Sequence, residues 1–277
     1  MKIRLDKLLV DRGHAASRER AQALILAGRV LVAEQKVDKP GSSVDSDVVV
    51  RMLGEDLRYV SRGGLKLEYA LERWKIDLGG KACVDIGAST GGFTDCMLQH
   101  GAASVLAVDT GYGQIAHKLR ADSRVTLMER TNARLLAPGA LLVEGPGPFA
   151  FFCMDVSFIS ATLVLPAVVG ALAVPGAKWS GEAVVLIKPQ FEAGREHVGK
   201  GGIVRDPAAQ QLAVDRVTAA VDDIGGSVLE VVDSPILGME GNREFLAHVR
   251  LESDGSLTTS SEERVLKPFS LKENGLL

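Results

Sequence analysis

Cysteine is nearly absent: three residues, Cys83, Cys96 and Cys153, odd in number and widely spaced along 277 positions. That pattern excludes a disulfide framework and offers no metal-ligand spacing, so the three read as small buried residues of a reducing compartment and no metal is expected. Long hydrophobic runs are lacking too. The longest, Ala161 to Val174, is interrupted by Pro166 and is too short and too broken to cross a bilayer. The N-terminus opens on charge and has no apolar signal core, which argues against export by a cleaved peptide and for a cytoplasmic protein. Nor is there an overall excess of positive charge. A net charge of −3 excludes wholesale coating of nucleic acid, and 46% hydrophobic with 24% charged residues describes an ordinary globular chain long enough for two domains. The charge is uneven, however. Through Lys36 the chain carries a local excess of Lys and Arg, the footprint of one localised polyanion contact.

The most informative stretch is Cys83-Val84-Asp85-Ile86-Gly87-Ala88-Ser89-Thr90-Gly91-Gly92-Phe93. A short apolar run with one carboxylate, then a glycine cluster, then helical spacing reads as strand, tight loop and helix, with glycines letting the backbone approach a ligand. The order G-x-x-x-G-G departs from the G-x-G-x-x-G of dinucleotide sites, and an acid two residues ahead of the first glycine suits a cationic methionine-type moiety better than a pyrophosphate. S-adenosyl-L-methionine is therefore the expected cofactor rather than NAD. Asp109 ends the next apolar run, Ser104 to Val108, where a doubly wound sheet would set it against ribose hydroxyls. The cofactor set expected from this reading is Asp85, Gly87, Ala88, Ser89, Gly91, Gly92, Phe93, Asp109, Asn132 and Asp155, with Asn132 as suited to an Asx turn as to an adenine edge.

Along the chain, Leu5, Leu8 and Leu9 share a helical face that stops at Gly13. A second helix is capped by Ser17 and ended by Gly28. Short strands follow at 29–32, 36–37 and 48–53, giving a module of residues 1–58. The stretch from Gly54 to Tyr59 reads as a hinge, 59–63 as a linker, 64–251 as an α/β domain and 252–277 as a polar, frayed tail. Lys66 falls in the first turn of a helix beginning near Gly64, where a cation is mildly unfavourable. It either faces an anion or lies along the surface, and local sequence favours the surface. Phe149 to Asp155 and Glu182 to Ile187 are apolar runs expected as central strands buried on both faces, ending at Asp155 and Lys188. Asp85, Asp109, Asp155 and Lys188 all stand near the carboxyl ends of strands, where such sheets place their ligands. The glycine-rich basic loop 194–206, with Arg195 and Lys200, is expected to contact a polyanionic substrate, as is Arg62.

Two resemblances sharpen these expectations. R-L-D-x-x-L, G-x-x-x-S-R and A-x-x-x-I-x-x-G-x-V resemble the small RNA-binding module named after the small-subunit ribosomal protein S-four. That resemblance implies that Arg4, Arg12, Ser17, Arg18, Arg20 and Arg29 face RNA phosphates. The motifs V-S-R-G-G-x-K-L, D-I-G-A-S-T-G-G-F-T-D, V-D-x-G-x-G-Q, D-V-S-F-I-S and I-K-P-Q-F-E make the span from Lys2 to about Arg250 similar to the TlyA family. This family joins that module to an FtsJ-like, Rossmann-like methyltransferase domain and 2′-O-methylates ribosomal RNA. The resemblance implies a cytidine in 23S and, for some members, 16S RNA, with ribosomal RNA or ribosomal subunits as partners and no membrane. It also implies a catalytic Lys-Asp-Lys-Glu set at Lys66, Asp155, Lys188 and Glu244, with Glu240 one turn upstream as the competing fourth position. Lys188 would take the proton of the hydroxyl, which requires its pKa to fall from about 10.4. Lys66 would orient the hydroxyl, and the carboxylates would fix the lysines. Three rival readings stand beside this one: a non-catalytic ribosome-binding or assembly factor, a membrane-active haemolysin, and a small-molecule methyltransferase.

Overall fold

Leu5, Leu8 and Leu9 are all buried on one face of helix α1 (Leu5–Asp11), against Ala21, Leu24 and Ile25 of α2 (Arg18–Leu26). The computed structural model describes residues 2–15, 17–53, 58–174, 176–238 and 241–252, and it divides into two units, Met1–Leu57 and Arg58–Leu277. In the first, Ser17 caps α2 by accepting the Arg20 N–H, and Gly28 turns the chain out with φ +66°. Strand β1 (Lys2–Arg4) precedes α1. After α2 come β2 (Val30–Val32), β3 (Gln35–Lys36), β4 (Ser43–Asp45) and β5 (Val50–Met52). They pair antiparallel as β1-β4 and as β3-β2-β5. Two of these strands, β1 and β4, were not expected from sequence.

Asp6 organises this small unit. Its carboxylate is fully buried and accepts from Arg4 Nε (3.0 Å) and Nη2 (2.7 Å), Arg18 Nη2 (3.2 Å), Gln22 Nε2 (3.0 Å) and the Lys7 N–H (2.9 Å). Hydrogen bonding from Arg4, above all, holds its pKa well below the usual carboxylate range. A depressed folded-state pKa contributes stability that is present above the unfolded value near 3.9 and is lost as pH falls below it. Asp6→Asn should therefore destabilise α1 and α2 by about 1–3 kcal/mol at pH 7. Hydrogen exchange of their amides in the full chain would show it, with the gap from the parent shrinking below pH about 4. An equal gap at both pH values would refute this account.

In the second unit a seven-stranded sheet has the order β11-β12-β10-β9-β6-β7-β8. Its strands are β6 (Ala82–Ile86), β7 (Ser104–Val108), β8 (Val125–Met128), β9 (Phe151–Met154), β10 (Gly181–Ile187), β11 (Gly226–Asp233) and β12 (Phe245–Leu251). The five from β10 to β8 run parallel, and β12 enters antiparallel to both β10 and β11. Every residue of β9 is buried, as its unbroken apolar run predicts for a strand covered on both faces. Helices pack the two faces: α3 (Gly63–Trp74), α4 (Gly92–Gln99), α5 (His117–Arg120), α6 (Ala140–Glu144), α7 (Ala161–Leu172), α8 (Pro189–Glu192) and α9 (Pro207–Asp223). The expected α/β, Rossmann-like architecture is present. The apolar run 161–174 supplies α7, and among the described residues no helix is long and apolar enough to cross a membrane.

The stretch 59–63, expected as a linker, is instead packed into the second unit. Tyr59 is 2% exposed, its hydroxyl donates to Glu68 Oε1 (2.9 Å), and the Val60 N–H donates to Asp95 Oδ2 on α4 (2.8 Å). A side chain cannot be added at Gly64 without overlapping the Tyr59 ring, so this glycine admits the aromatic anchor. Residues 54–57 of the supposed hinge and the tail from 253 lie outside the described residues.

Candidate active site

The carboxyl ends of β6, β9 and β10 and the segment leading into β12 converge on one cavity of about 530 Å³. Lys66, Asp155, Lys188 and Glu244 all line it. They form two ion pairs, Lys66 Nζ to Glu244 Oε2 and Lys188 Nζ to Asp155 Oδ1, each at 2.5 Å. Lys188 Nζ also donates to Ser157 Oγ at 2.7 Å, a contact that sequence reasoning missed. The surface reading of Lys66 is overturned: the residue is 8% exposed, because β12, which its partner Glu244 immediately precedes, stands beside α3 in the fold. Glu244 is 3% exposed and fits closely against Gly238, where any side chain would overlap its carboxylate. Glu240, its competitor, lies outside the described residues.

Gly87, Ala88, Ser89, Gly92 and Phe93 line the same cavity, as does Arg62 at the start of α3. The loop reverses sharply, with positive φ at Gly87 (+85°), Ser89 (+49°) and Gly91 (+93°). At Gly87 a Cβ would overlap the carbonyl oxygen of Asp155, and at Gly92 it would overlap Ser61 Oγ. Backbone therefore forms this wall of the cavity. Gly91 does not face the cavity, but its conformation lets Leu119 and Ile115 close in behind the loop. Asp109 holds the loop from the other side: its carboxylate accepts the Ser89 N–H (2.8 Å) and the Gly111 N–H (2.6 Å). With Ala88 and Ser89 it lines a second, much smaller recess next to the main cavity, bounded also by Gln114 and Glu129.

Asp85 is not where the sequence reading placed it. It is fully buried, accepts from Thr94 Oγ1 of α4 (2.6 Å) and from Cys153 Sγ (3.6 Å), and lines neither recess. Its role is to tie the strand to the helix that the glycine loop opens. Burial pushes its pKa up to about 7, with the Asp155 charge adding to the rise and the Thr94 hydrogen bond opposing it. A carboxyl whose folded value lies above its unfolded one, near 3.9, contributes stability that is full below the unfolded value and is lost as pH rises through about 7. Asp85→Asn should therefore flatten the decline in melting temperature of the parent between pH 4 and pH 7. Parallel melting profiles for the two proteins would count against it.

Asn132 is also displaced from its expected role. It is exposed, caps a single 3₁₀ turn at 133–135 by accepting the Arg134 N–H (3.1 Å), and reaches neither recess. Arg195 and Lys200 are exposed on the glycine-rich loop, which contributes Val198 and Gly202 to the cavity wall. Asn242 holds that loop in place: its side chain accepts the Val204 N–H (3.1 Å) and donates to the Gly202 carbonyl (2.9 Å). In the first unit, Arg4 and Arg18 converge on Asp6, Arg12 donates to the carbonyls of Ser46 and Val48 (both 2.6 Å), and Arg29 donates to that of Leu53 (2.9 Å). Arg20 stands on α2 beside the Ser17 cap. All three cysteines are free and buried, and among the described residues no cluster of three His, Cys, Asp or Glu could hold a metal ion.

The arrangement fits a nucleoside-bearing ligand held against the glycine loop beside a hydroxyl. A backbone wall lets the ligand approach closely, Asp109 stands at a strand end near the loop, and two lysine–carboxylate pairs face the same space. Comparison with known proteins agrees with this geometry. Residues 59–251 match the model for the FtsJ-like methyltransferase, and residues 3–50 match that for the S4 domain. The chain is 41% identical over 261 residues to the 16S/23S rRNA (cytidine-2′-O)-methyltransferase TlyA of Mycobacterium tuberculosis, covering 94% of each protein. It is 49% identical over 254 residues to YqxC of Bacillus subtilis, a candidate rRNA methyltransferase, covering 92% of this chain and 88% of the other. A solved structure of a candidate hemolysin from Streptococcus thermophilus superposes with a TM-score of 0.68 at 45% identity, over 90% of this chain and 88% of that one.

Proposed function

The chain belongs to the FtsJ-like methyltransferase family, and from that premise we propose that it transfers a methyl group from S-adenosyl-L-methionine to the ribose 2′-hydroxyl of a cytidine in ribosomal RNA. One observation carries the reading: two buried lysine–carboxylate pairs share a cavity with a glycine loop at the ends of parallel strands. The cofactor, when bound, supplies a methyl group activated by a sulfonium. Everything else falls to the chain. The loop from Gly87 to Phe93 and the Asp109 carboxylate hold the nucleoside portion. Lys66, fixed by Glu244, orients the hydroxyl. Lys188 Nζ takes its proton, and the Asp155 carboxylate at 2.5 Å and the Ser157 hydroxyl at 2.7 Å fix where that nitrogen points. The hydroxyl oxygen then attacks in line as its proton leaves.

The N-terminal unit is the proposed RNA anchor, with Arg4, Arg12, Arg18, Arg20 and Arg29 supplying phosphate contacts that salt weakens. The names of the relatives support ribosomal RNA as the substrate class. Incubating the protein with methyl-labelled cofactor and small or large ribosomal subunits, followed by mass mapping of the RNA, tests the proposal. Label on a ribose 2′-oxygen of a cytidine is the expected result. Label on a base, or on free metabolites alone, would overturn it.

A further inference from the structure

Between β9 and α7 the chain turns through residues 155–160, and the turn is fixed at both ends. The Asp155 N–H donates to the Ile86 carbonyl (2.9 Å), while Ser160 Oγ and the Ala161 N–H donate to the Glu192 carboxylate of α8 (2.5 and 2.7 Å). In the middle, Phe158 takes φ +63°, a left-handed conformation unfavourable for an aromatic residue, with its ring against that of Phe191 of α8, centroids 5.5 Å apart. Strain of this kind persists where the surroundings over-determine it, and it marks places where a neighbouring group must point one way. The residue before it is Ser157, which lines the cavity. Helix α8 begins directly after Lys188, so the segments that carry Ser157 and Lys188 are bound to each other.

The two contacts of Lys188 Nζ differ in kind. Ser157 Oγ accepts a directed hydrogen bond from it at 2.7 Å. Asp155 Oδ1 is nearer, at 2.5 Å, yet among the described residues it has no hydrogen-bond partner, so this contact supplies charge without direction. Direction matters for a proton acceptor. A neutral amine has one lone pair, and it receives a proton only when that pair is turned on the hydroxyl. With one N–H on Ser157 Oγ and the other drawn towards the Asp155 charge, the remaining tetrahedral position is the lone pair, left for the cavity.

We propose that Ser157 is a positioning residue for methyl transfer: its hydrogen bond to Lys188 Nζ aims the lone pair of that amine at the ribose hydroxyl, and Asp155 contributes charge rather than aim. This rests on the ribose-methylation reading above. Ser157 then acts only through Lys188, so its removal is felt in the rate of the chemical step and not in the binding of cofactor or RNA.

The test compares the full-length parent with Ser157→Ala, Ser157→Thr, Lys188→Ala and the double alanine variant, in single-turnover methyl transfer to ribosomal subunits. Calorimetry with S-adenosylhomocysteine gives cofactor affinity. Ser157→Ala should lower the maximal rate by about 10–100-fold, the usual consequence of a misaimed reacting group. Cofactor affinity and the half-saturating subunit concentration should stay within about twofold of the parent. Ser157→Thr keeps the hydroxyl at an exposed position that can take a methyl group, and should restore the rate to within about threefold. In the Lys188→Ala background, adding Ser157→Ala should slow transfer by less than about twofold, because the group it aims is gone. A parent-like rate in Ser157→Ala overturns the proposal, as does a threonine variant as slow as alanine. So does an equal loss from Ser157→Ala with and without Lys188, which would assign the serine to the shape of the turn. Absence of methyl transfer by the parent on either subunit would sink the ribose-methylation reading and this proposal with it, and is told apart because it appears before any variant is compared.

Discussion

Replacing Lys188 with alanine should lower single-turnover methyl transfer by about two to four orders of magnitude, the usual worth of a positioned proton acceptor. The residue is 8% exposed, and its nitrogen is held by Asp155 and Ser157 in the cavity where the hydroxyl must sit. Cofactor affinity should change little, because the Gly87–Phe93 loop and Asp109 do not depend on Lys188 for their hydrogen bonds. Lys188→Arg separates two roles for the residue. Arginine keeps the positive charge but stays protonated at any working pH, so a proton-accepting role predicts that it is as slow as alanine. If arginine restored turnover, Lys188 would serve as a fixed cation and another group would take the proton. Parent-like turnover in the alanine variant would remove Lys188 from the chemistry altogether.

The sequence made the sheet legible where physics leaves one solution and hid what depends on distant partners. Phe151–Met154 and the run ending at Ile187 could be read as central strands because only burial on both faces accommodates unbroken apolar segments. Ser17 and Gly28 marked the ends of α2 through local hydrogen bonding and a left-handed turn. By contrast β1 and β4 alternate polar, apolar, polar over only three residues each, a pattern too short to stand out from the surrounding chain. Lys66 looked like a surface lysine because its partner, Glu244, lies 178 positions away. Asp85 was misplaced for a different reason. Side chains alternate across a strand, so Asp85 shares the face of Cys83, under α4, rather than pointing from the strand tip into the ligand space. The carboxylate itself was a correct signal of the loop, though its direction was not. Asn242 carries no local signal at all, since its side-chain bonds to Val204 and Gly202 on a loop about 40 positions away exist only in the folded chain.

Gly87→Ala should be severely damaging, because it combines a left-handed backbone with an overlap against main-chain atoms. The residue adopts φ +85°, a region that costs an L-residue about 1–2 kcal/mol. The new Cβ would also overlap the main-chain oxygen of Asp155, which cannot swing aside as a side chain would, and overpacking of that kind adds about 1–3 kcal/mol. A combined loss of roughly 2–5 kcal/mol is expected by urea unfolding of the full chain. The effect on binding should exceed what stability alone predicts, because relief of the overlap moves both sides of the cavity. On one side the loop backbone shifts, where Gly87 and Ala88 N–H both donate to the Val108 carbonyl. On the other, Asp155 is displaced and carries Lys188 with it. Affinity for S-adenosylhomocysteine should fall by at least about 100-fold, equivalent to roughly 2.7 kcal/mol, in protein shown by circular dichroism to remain folded. Ala88→Gly is the informative contrast, since it changes the neighbouring residue by one methyl without placing an atom against Asp155. If Gly87→Ala bound the cofactor product as tightly as the parent, the loop and the Asp155–Lys188 pair would have to be mechanically independent, and the close packing of β6 against β9 at this point would have no bearing on the site.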